Sequence, residues 1–372
     1  MGKIYTVLGL MSGTSMDGID ASIIKSDGET QYDAVFNKYF QYNEELYQDL
    51  INLRNKIINS QDLKIYKNDI NVLEREITLF HAEIVNEILN ESKISVDYIG
   101  FHGQTIFHNA FEKISKQLGD ANLLSQLTKK EIVYNFREND LKNGGQGAPL
   151  TPIFHRLVTK KSEISLPACI INIGGITNIT IITSFDINSL KSYDVGPGNC
   201  LIDEWVRIKT KKKYDENGEI ARLGSTSEII LNQIIDNFES KKILSFDIKD
   251  FNLSSVRGLS LEDGASTLTD FTAKIISNVL LKISSDLPQK KINVLICGGG
   301  RKNITLIKSI KKNTYDKFII QLIDDYGVNG DFIESQAFAY LAIRSYLKLD
   351  ISFPKTTSCN SACTGGILIK NF

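Results

Sequence analysis

Ser12, Gly13, Thr14 and Ser15, followed by Asp17 and Asp20, are the densest group of chemically capable residues in this 372-residue chain. An apolar run from Ile4 to Met11 leads into them and a second β-like run, Ile19 to Ile24, leads away, so the segment reads as two strands joined by a small-residue tip. Such a tip offers hydroxyls and a concave nest of backbone N–H groups to an anion, and glycine lets the chain approach phosphate oxygens closely. Asp17 and Asp20 are hard oxygen ligands of the kind that suits the Mg²⁺ accompanying a nucleotide. The alternative is an ordinary hairpin with a polar turn. A second copy of the pattern weighs against it: Ala168 to Thr183 again runs strand, tip (Gly174, Gly175, Thr177) and strand, with Gly174 lying 161 residues after Gly13. Two such hairpins suggest a duplicated fold with a ligand between its halves. A third cluster, Gly298-Gly299-Gly300, follows the apolar run Ile292 to Ile296 and precedes a helix-like run from Ile304. That order brings a flat ligand or phosphate against backbone and a helix N-terminus.

Four further positions have chemistry worth weighing. Asp194 stands in Tyr193-Asp-Val-Gly-Pro-Gly-Asn199. It is either a turn aspartate bonding its own backbone or a carboxylate at a strand end that takes a proton from an attacking oxygen. His102-Gly-Gln-Thr105 closes a probable strand, and alternation puts His102 and Gln104 on one face with Thr105 opposite. Arg137 presents a planar fork for a carboxylate or phosphate, or pairs with Glu138 or Asp140. Glu334 matches the third helical position of a capping box opened by Asp331, a place where the helix dipole alone favours a glutamate.

The elements that must position these groups are those of an α/β chain. Glu74 to Asn90 repeats apolar residues at helical spacing, Asp97 to His102 and Glu131 to Tyr134 read as strands, and Asn199 reads as the N-cap of a helix from Leu201. A long helix from Leu268 to Ile283 and another opened by Asp331 follow. The Gly144-Gly-Gln-Gly-Ala-Pro149 break is the strongest in the first half, so two domains are expected: residues 1–140 with a C-terminal return around 350–372, and residues 141–349. A net charge of −1 favours neither nucleic acid nor an anionic membrane. The five cysteines read as reduced thiols of a cytoplasmic, small-molecule protein, and none of their spacings makes a zinc site. A P-loop is absent, the dinucleotide fingerprint lacks its third glycine at Asn303, and there is no nucleophile elbow.

Taken together, the motifs resemble the anhydro-N-acetylmuramic acid kinase family of the actin/hexokinase/Hsp70 fold superfamily. The matching segments are Gly9-Leu-Met-Ser-Gly-Thr-Ser-Met-Asp-Gly18, Phe101-His-Gly-Gln-Thr105 with His108, and Asn135-Phe-Arg137 with Gly144-Gly-Gln-Gly-Ala-Pro149. Asn172-Ile-Gly-Gly-Ile-Thr-Asn178, Asp194-Val-Gly-Pro-Gly-Asn199, Cys297-Gly-Gly-Gly300 and Gly330-Asp-Phe-Ile-Glu-Ser-Gln-Ala-Phe338 follow in family order. Departures are small: Val195 replaces a frequent threonine, Ile176-Thr177 a common Ile-Ala, and Ser335 a usual alanine.

The resemblance implies a two-domain actin/hexokinase-like fold with ATP and Mg²⁺ in a cleft between the domains. It implies nucleotide contacts from Gly13, Thr14, Ser15, Met16, Asp17, Gly18, Ile19 and Asp20, then from Gly174, Gly175 and Thr177, and from Gly298, Gly299 and Gly300. Asp17 and Asp20 would hold the metal. The sugar would meet His102, Gln104, Thr105, Arg137 and Glu334, with Asp194 as the base. The implied reaction opens the anhydro bridge of 1,6-anhydro-N-acetylmuramic acid with water and phosphorylates O6, in the recycling of bacterial cell-wall sugars. The implied partner is the amino sugar, with neither nucleic acid nor membrane, and monomer and homodimer stay open as alternatives. The competing expectations are an ATPase or exopolyphosphatase of the same fold, or a non-catalytic sugar sensor.

Overall fold

The computed structural model describes residues 2–239, 246–287 and 291–372. The chain divides into two compact units, one of residues 1–163, 185–190 and 332–372 and the other of residues 164–184 and 191–331. This differs from the expected division at 140 and 349. The glycine-rich break is a loop within the first unit: Gln146 N–H donates to Thr357 O and Asn360 N–H to Asn143 O. The helix Pro152–Lys161 also belongs to the first unit, where Phe154 packs its ring on Tyr32 at 5.0 Å and on Tyr340 at 5.6 Å.

In the first unit β1 (Tyr5–Ser12), β2 (Gly18–Ser26) and β3 (Tyr32–Gln41) form an antiparallel meander. β4 (Tyr98–Asn109) lies parallel to β1, and β6 (Glu131–Tyr134) parallel to β4, with β5 (Ile114–Leu118) branching from β4. The strand Ile367–Ile369 pairs antiparallel with β6. Leaving those last two additions aside, the order is β3-β2-β1-β4-β6. The second unit repeats it. β7 (Ala168–Ile173), β8 (Ile176–Ile182) and β9 (Lys191–Pro197) are antiparallel, while β10 (Ile292–Cys297) lies parallel to β7 and β11 (Phe318–Leu322) parallel to β10. The order β9-β8-β7-β10-β11 is the same fold written twice.

Each sheet buries an apolar face against helices. In the first unit Leu8, Leu10, Ile19 and Ile23 pack with Leu73, Ile77, Ile84 and Val85 of the helix Lys67–Ser92. In the second, Ile171, Ile179 and Ile296 pack with Leu268, Phe271 and Ile275 of the helix Leu261–Asp286. The helix Ile333–Tyr346 is buried on nearly all sides, as a helix inside a protein rather than at its surface must be. Its buried Arg344 is satisfied by carbonyls, with Nη1 on Gly28 O and Nε on Asp350 O, both at 2.8 Å.

Close approach of that helix depends on two glycines. A Cβ on Gly9 would stand 2.0 Å from Ser335 O, and one on Gly100 would stand 2.5 Å from Phe338 O. Real side chains do not tolerate such contacts, so helix and sheet would have to part. Gly100→Ala is therefore expected to lower the unfolding free energy by about 1–3 kcal/mol, the usual cost of overpacking. Denaturant titration checks this, and an unchanged midpoint would mean that the helix can move away freely.

Candidate functional site

The β1–β2 tip rests on a buried frame. Met16 takes a left-handed conformation (φ 57°), and its N–H donates to Gly13 O at 3.2 Å. Met16 and Ile19 bury their side chains completely, and a Cβ on Gly18 would meet Phe40 O at 2.3 Å. With the Met16 and Ile19 side chains buried, the nucleotide contacts expected of these three residues fall to main-chain atoms. Gly13 is different, because a Cβ there would meet nothing nearer than Ser15 Oγ at 3.6 Å. Thr14 and Ser15 are exposed, and the Ser15 hydroxyl donates to Asp17. Beneath the tip, Arg54 Nη1 holds Thr14 O at 3.0 Å and Gln104 Nε2 holds Gly13 O at 2.9 Å.

Tyr39 reports on the two aspartates. Burial raises its phenol pKa, and the charges of Asp17 and Asp20 raise it further. Asp17 and Asp20, both partly exposed, are of the donor type that Mg²⁺ takes, one or two carboxylates with the shell completed by phosphate and water.

β4 does not follow simple alternation. It pairs with β1 through Leu10↔Phe101 and resumes at Ser12↔Gln104, so His102 and Gly103 together oppose Met11. Gly103 sits at φ 75°, where its missing Cβ is required. The bulge separates the side chains expected on one face. Gln104 turns to the tip, while His102 turns to Arg137. Thr105 Oγ1 accepts from Gln117 Nε2 at 3.1 Å, so Gln104 and Thr105 do not join the His102 cluster.

Arg137 Nε and Nη2 lie 3.1 and 2.8 Å from His102 Nε2, and Nη1 donates to Gly147 O at 2.8 Å. The other ring nitrogen of His102 stands 2.7 Å from Gly103 O. A carbonyl can only accept, so Nδ1 carries the hydrogen and Nε2 accepts from the guanidinium. Burial, reinforced by Arg137, holds the His102 pKa well below its usual value. The imidazole is thus a neutral brace for Arg137. Phe338 completes the support, with its ring 4.5 Å from the His102 ring and 6.0 Å from the guanidinium carbon.

Glu334 is the charge counterpart of this group. Burial raises its pKa, and the Arg137 charge works in the opposite direction. The capping-box reading fails on its other member. Asp331 accepts from Arg301 Nη1 and Lys302 Nζ, each at 2.7 Å, and the helix begins at Phe332 without a side-chain cap. A cavity of about 350 Å³ lies beside His102 and Gly103, walled by Lys113, Lys116, Asn135 and Glu138 among others. Of the residues expected to bind sugar, His102 alone lines it.

In the second unit the Gly174-Gly175 tip is tied to the start of a helix. Gly174 O accepts from Asn199 N–H at 2.8 Å, and Gly175 O accepts from Gly198 N–H at 2.9 Å. Asn199 occupies the position before the helix Cys200–Lys209 but makes no side-chain cap; its Nδ2 reaches Ile173 O at 3.4 Å. Gly174 is open, with nothing nearer to a Cβ than 3.6 Å. Asp194 lies within β9, opposite Asn178, and its Oδ2 accepts from Phe246 N–H at 3.1 Å. It is a strand residue held by a distant segment, which corrects the turn-aspartate alternative.

Gly298 and Gly300 pack against β7, where Cβ atoms would meet Asn172 Oδ1 at 2.4 Å and Ile173 Cγ2 at 2.3 Å, whereas Gly299 is open to 3.9 Å. A 3₁₀ turn, Gly299–Lys302, separates the glycines from the helix Ile304–Thr314, which Asn303 caps. Arg301 was not singled out by its sequence. It forks onto Asp324 at 2.7 and 3.0 Å and also donates to Asp331 at 2.7 Å; the signal that could have found it is a cation directly after three glycines. Thr177 Oγ1, in the second tip, is buried without a hydrogen-bond partner among the described residues, and a hydroxyl there can donate to a phosphate oxygen; Gln104 Oε1, under the first tip, likewise lacks a partner but can only accept.

Each unit carries the same sheet order with an open glycine at the tip of its first hairpin, the duplicated arrangement of the actin/hexokinase-like fold. The profile of the anhydro-N-acetylmuramic acid kinase family matches residues 5–371. A relative of that name from Pelagibacter ubique (strain HTCC1062) is 60% identical, with 100% of each chain covered. Others of that name from Zymomonas mobilis and Agrobacterium fabrum are 37% and 35% identical, the first covering 96% of this chain and 98% of its own, the second 100% of both. The chain belongs to the anhydro-N-acetylmuramic acid kinase family. Among the described residues, no helix is long and apolar enough to cross a membrane.

Three buried histidines of the first unit make its stability depend on pH. Burial lowers His81 to about 4 and His155 to about 3, and His102 is held well below its usual value. Unfolded histidines take a proton near pH ~6.5. Below that pH the unfolded chain binds protons that the fold refuses, so stability is full above ~6.5 and falls as the pH drops towards the folded values. Near pH 5 the three histidines contribute a slope approaching three protons, about 4 kcal/mol per pH unit. Denaturant unfolding across pH 7.5 to 4.5 measures it, and His155→Gln is expected to reduce the slope by about one proton. A slope unchanged by that substitution would mean that His155 is protonated in the fold.

Proposed function

We propose that this chain is an ATP-dependent kinase that opens the anhydro ring of 1,6-anhydro-N-acetylmuramic acid with water and phosphorylates O6. The products are N-acetylmuramic acid 6-phosphate and ADP, which places the enzyme in the recycling of cell-wall sugars. Membership of the family along residues 5–371 supports the reading. The observation that carries it beyond a generic nucleotide site is Arg137 braced by a neutral His102 with Glu334 as its charge counterpart. A plain ATPase or exopolyphosphatase has no use for that polar group. A sensor has no use for a carboxylate held at the position of Asp194.

The chemistry follows from the substrate. An anhydro sugar has no free 6-hydroxyl, so a base finds no proton there. Asp194 instead takes a proton from water as that water bonds to C1, the C1–O6 bond breaks, and O6 forms its bond to the γ-phosphorus as the bond to ADP breaks. A positioned base contributes about 10²–10⁴ in rate. Backbone N–H groups around Gly13 and Gly174 stabilise charge on the γ-phosphoryl oxygens, as preorganised donors do. Asp17 and Asp20 would hold Mg²⁺, which neutralises phosphate charge when bound. Glu334 accepts hydrogen bonds from sugar hydroxyl or amide groups, and Arg137, its fork held by His102 and Gly147 O, offers positive charge to an acidic substituent.

The direct test is incubation with MgATP and the anhydro sugar, followed by mass spectrometry for a product heavier by phosphate plus water. ATP hydrolysis with the sugar unchanged would favour the ATPase reading. Asp194→Asn is expected to lose about 10²–10⁴ in kcat while MgATP binding changes little. A variant that turns over normally would remove Asp194 from the chemistry.

Glu334→Gln tests the sugar contact separately. Leaving a buried polar partner unpaired costs about 1–3 kcal/mol, so at least about a tenfold loss in kcat/KM for the anhydro sugar is expected. Because the Glu334 pKa is raised, its stabilising contribution is complete below the unfolded value of ~4.3 and is lost as the pH rises through the folded one. The glutamine variant should therefore be at least as stable as the parent at pH 8. A variant with parental kinetics would leave Glu334 without a sugar role.

A further inference from the structure

Far along the sequence from one another, Asp140, Cys359 and Cys363 come together in the first unit. The two sulfurs and a carboxylate oxygen all lie within 4.8 Å of one another. Asp140 and Cys359 are buried, and Cys363 is partly open to solvent, which gives an entry path. The donors are held in place by their surroundings. Asp140 Oδ2 accepts from Gly147 N–H and Oδ1 from the Thr357 hydroxyl, each at 2.6 Å. The two segments are laced together by Gln146 N–H to Thr357 O at 2.7 Å, Asn360 N–H to Asn143 O at 2.9 Å, and Asn143 Nδ2 to Ser361 O at 2.6 Å.

We propose that Asp140, Cys359 and Cys363 form a site for a thiophilic divalent cation of the zinc class, with water in the fourth position. Ligands about 2.0–2.3 Å from a tetrahedral zinc stand roughly 3.3–3.8 Å from one another, so the three donors need only small side-chain movements to close on an ion. On binding, both S–H bonds lose their protons to solvent and two S–metal bonds and one O–metal bond form, with no change in oxidation state. The hydrogen bonds to Asp140 act as the outer shell that orients a ligating carboxylate. Ligation fastens the chain's end to the Asp140–Gly147 loop. That loop also holds Arg137, because Gly147 donates its N–H to Asp140 and receives Arg137 Nη1 on its carbonyl.

The test uses the full-length protein, reduced and stripped of metal with a chelator. Titration with Zn²⁺ against a chromophoric chelator should show one equivalent per chain, and Cd²⁺ should add a thiolate-to-metal charge-transfer band in the ultraviolet. Cys359→Ser and Cys363→Ser should each weaken binding by about tenfold or more, and the double variant should lose the band. Zn²⁺ should raise the melting temperature of the parent and leave that of the double variant unchanged. A readout that needs no variant is alkylation followed by peptide mass spectrometry, in which Zn²⁺ should protect Cys359 and Cys363. The proposal is overturned if the parent and the double variant bind Zn²⁺ alike, or if the reduced parent binds none and the two sulfurs are recovered only as thiols or a disulfide.

Discussion

The backbone approach of the Ile333–Tyr346 helix to β1 and β4, permitted by Gly9 and Gly100, sets the position of the first unit's polar groups. Its first turn is then fixed by side chains. Ser335 Oγ pairs with Ser22 Oγ at 2.7 Å, and Gln336 bonds Tyr32 at 2.7 Å and Asn37 at 3.0 Å. Ser335 thus has a buried partner of its own in Ser22. These bonds aim Glu334, one residue earlier, and fix the rotation that puts Phe338 under His102 and Arg137. A helix one side-chain layer farther from the sheet would lose both relations at once.

The second unit anchors its glycine loop by charge instead. Arg301 lies nearly buried between Asp324 and Asp331, with its guanidinium against Gly330, where a Cβ would come within 2.5 Å of Nε. The carboxylates are held below their usual pKa even though burial alone would raise them, because Arg301 and, for Asp331, Lys302 donate to them. Their stabilisation is present above the unfolded value of ~3.9 and is lost as the pH falls through the folded one. Arg301 is the buried member of the set, while Asp324 and Asp331 are partly exposed, so solvent screens part of the loss when one of the carboxylates is removed. The same tie explains why Asp331 does not cap the following helix: its oxygens are already committed to Arg301 and Lys302.

What could be read from the sequence was what short segments decide by themselves. The strand–tip–strand segments at Gly13 and Gly174 were legible, because apolar alternation and glycine act within a few residues. The glycines before the Ile304–Thr314 helix and the α/β class were legible for the same reason. Asp331 was misread because Asp-x-x-Glu looks alike whether the aspartate caps or pairs with an arginine 30 residues upstream. The domain boundary was misplaced because a glycine-rich loop marks a turn, not a change of unit, and it is the packing of Phe154 on Tyr32 and Tyr340 that carries the first unit onward. Met16 was expected to contact nucleotide because of the family resemblance, and its side chain is buried with the backbone in a left-handed conformation. The grouping of Asp140 with two tail cysteines was invisible to any spacing rule, since fold topology alone brings them together.

The bulge at His102-Gly103 shows why such departures gather at the site. In a regular strand His102 and Gln104 would share a face and compete for one neighbourhood. The extra residue, with Gly103 at positive φ, sends Gln104 under the β1–β2 tip and His102 toward β6 and Arg137. The same turn brings Gly103 O to His102 Nδ1, which fixes the tautomer and makes Nε2 an acceptor. A guanidinium facing a protonated imidazole would be repelled, whereas this arrangement needs a neutral ring, and burial supplies it. One bulge therefore supports the tip through Gln104 and orients Arg137 through His102. A strand that paired regularly would have been easier to read, and it could have done only one of these things.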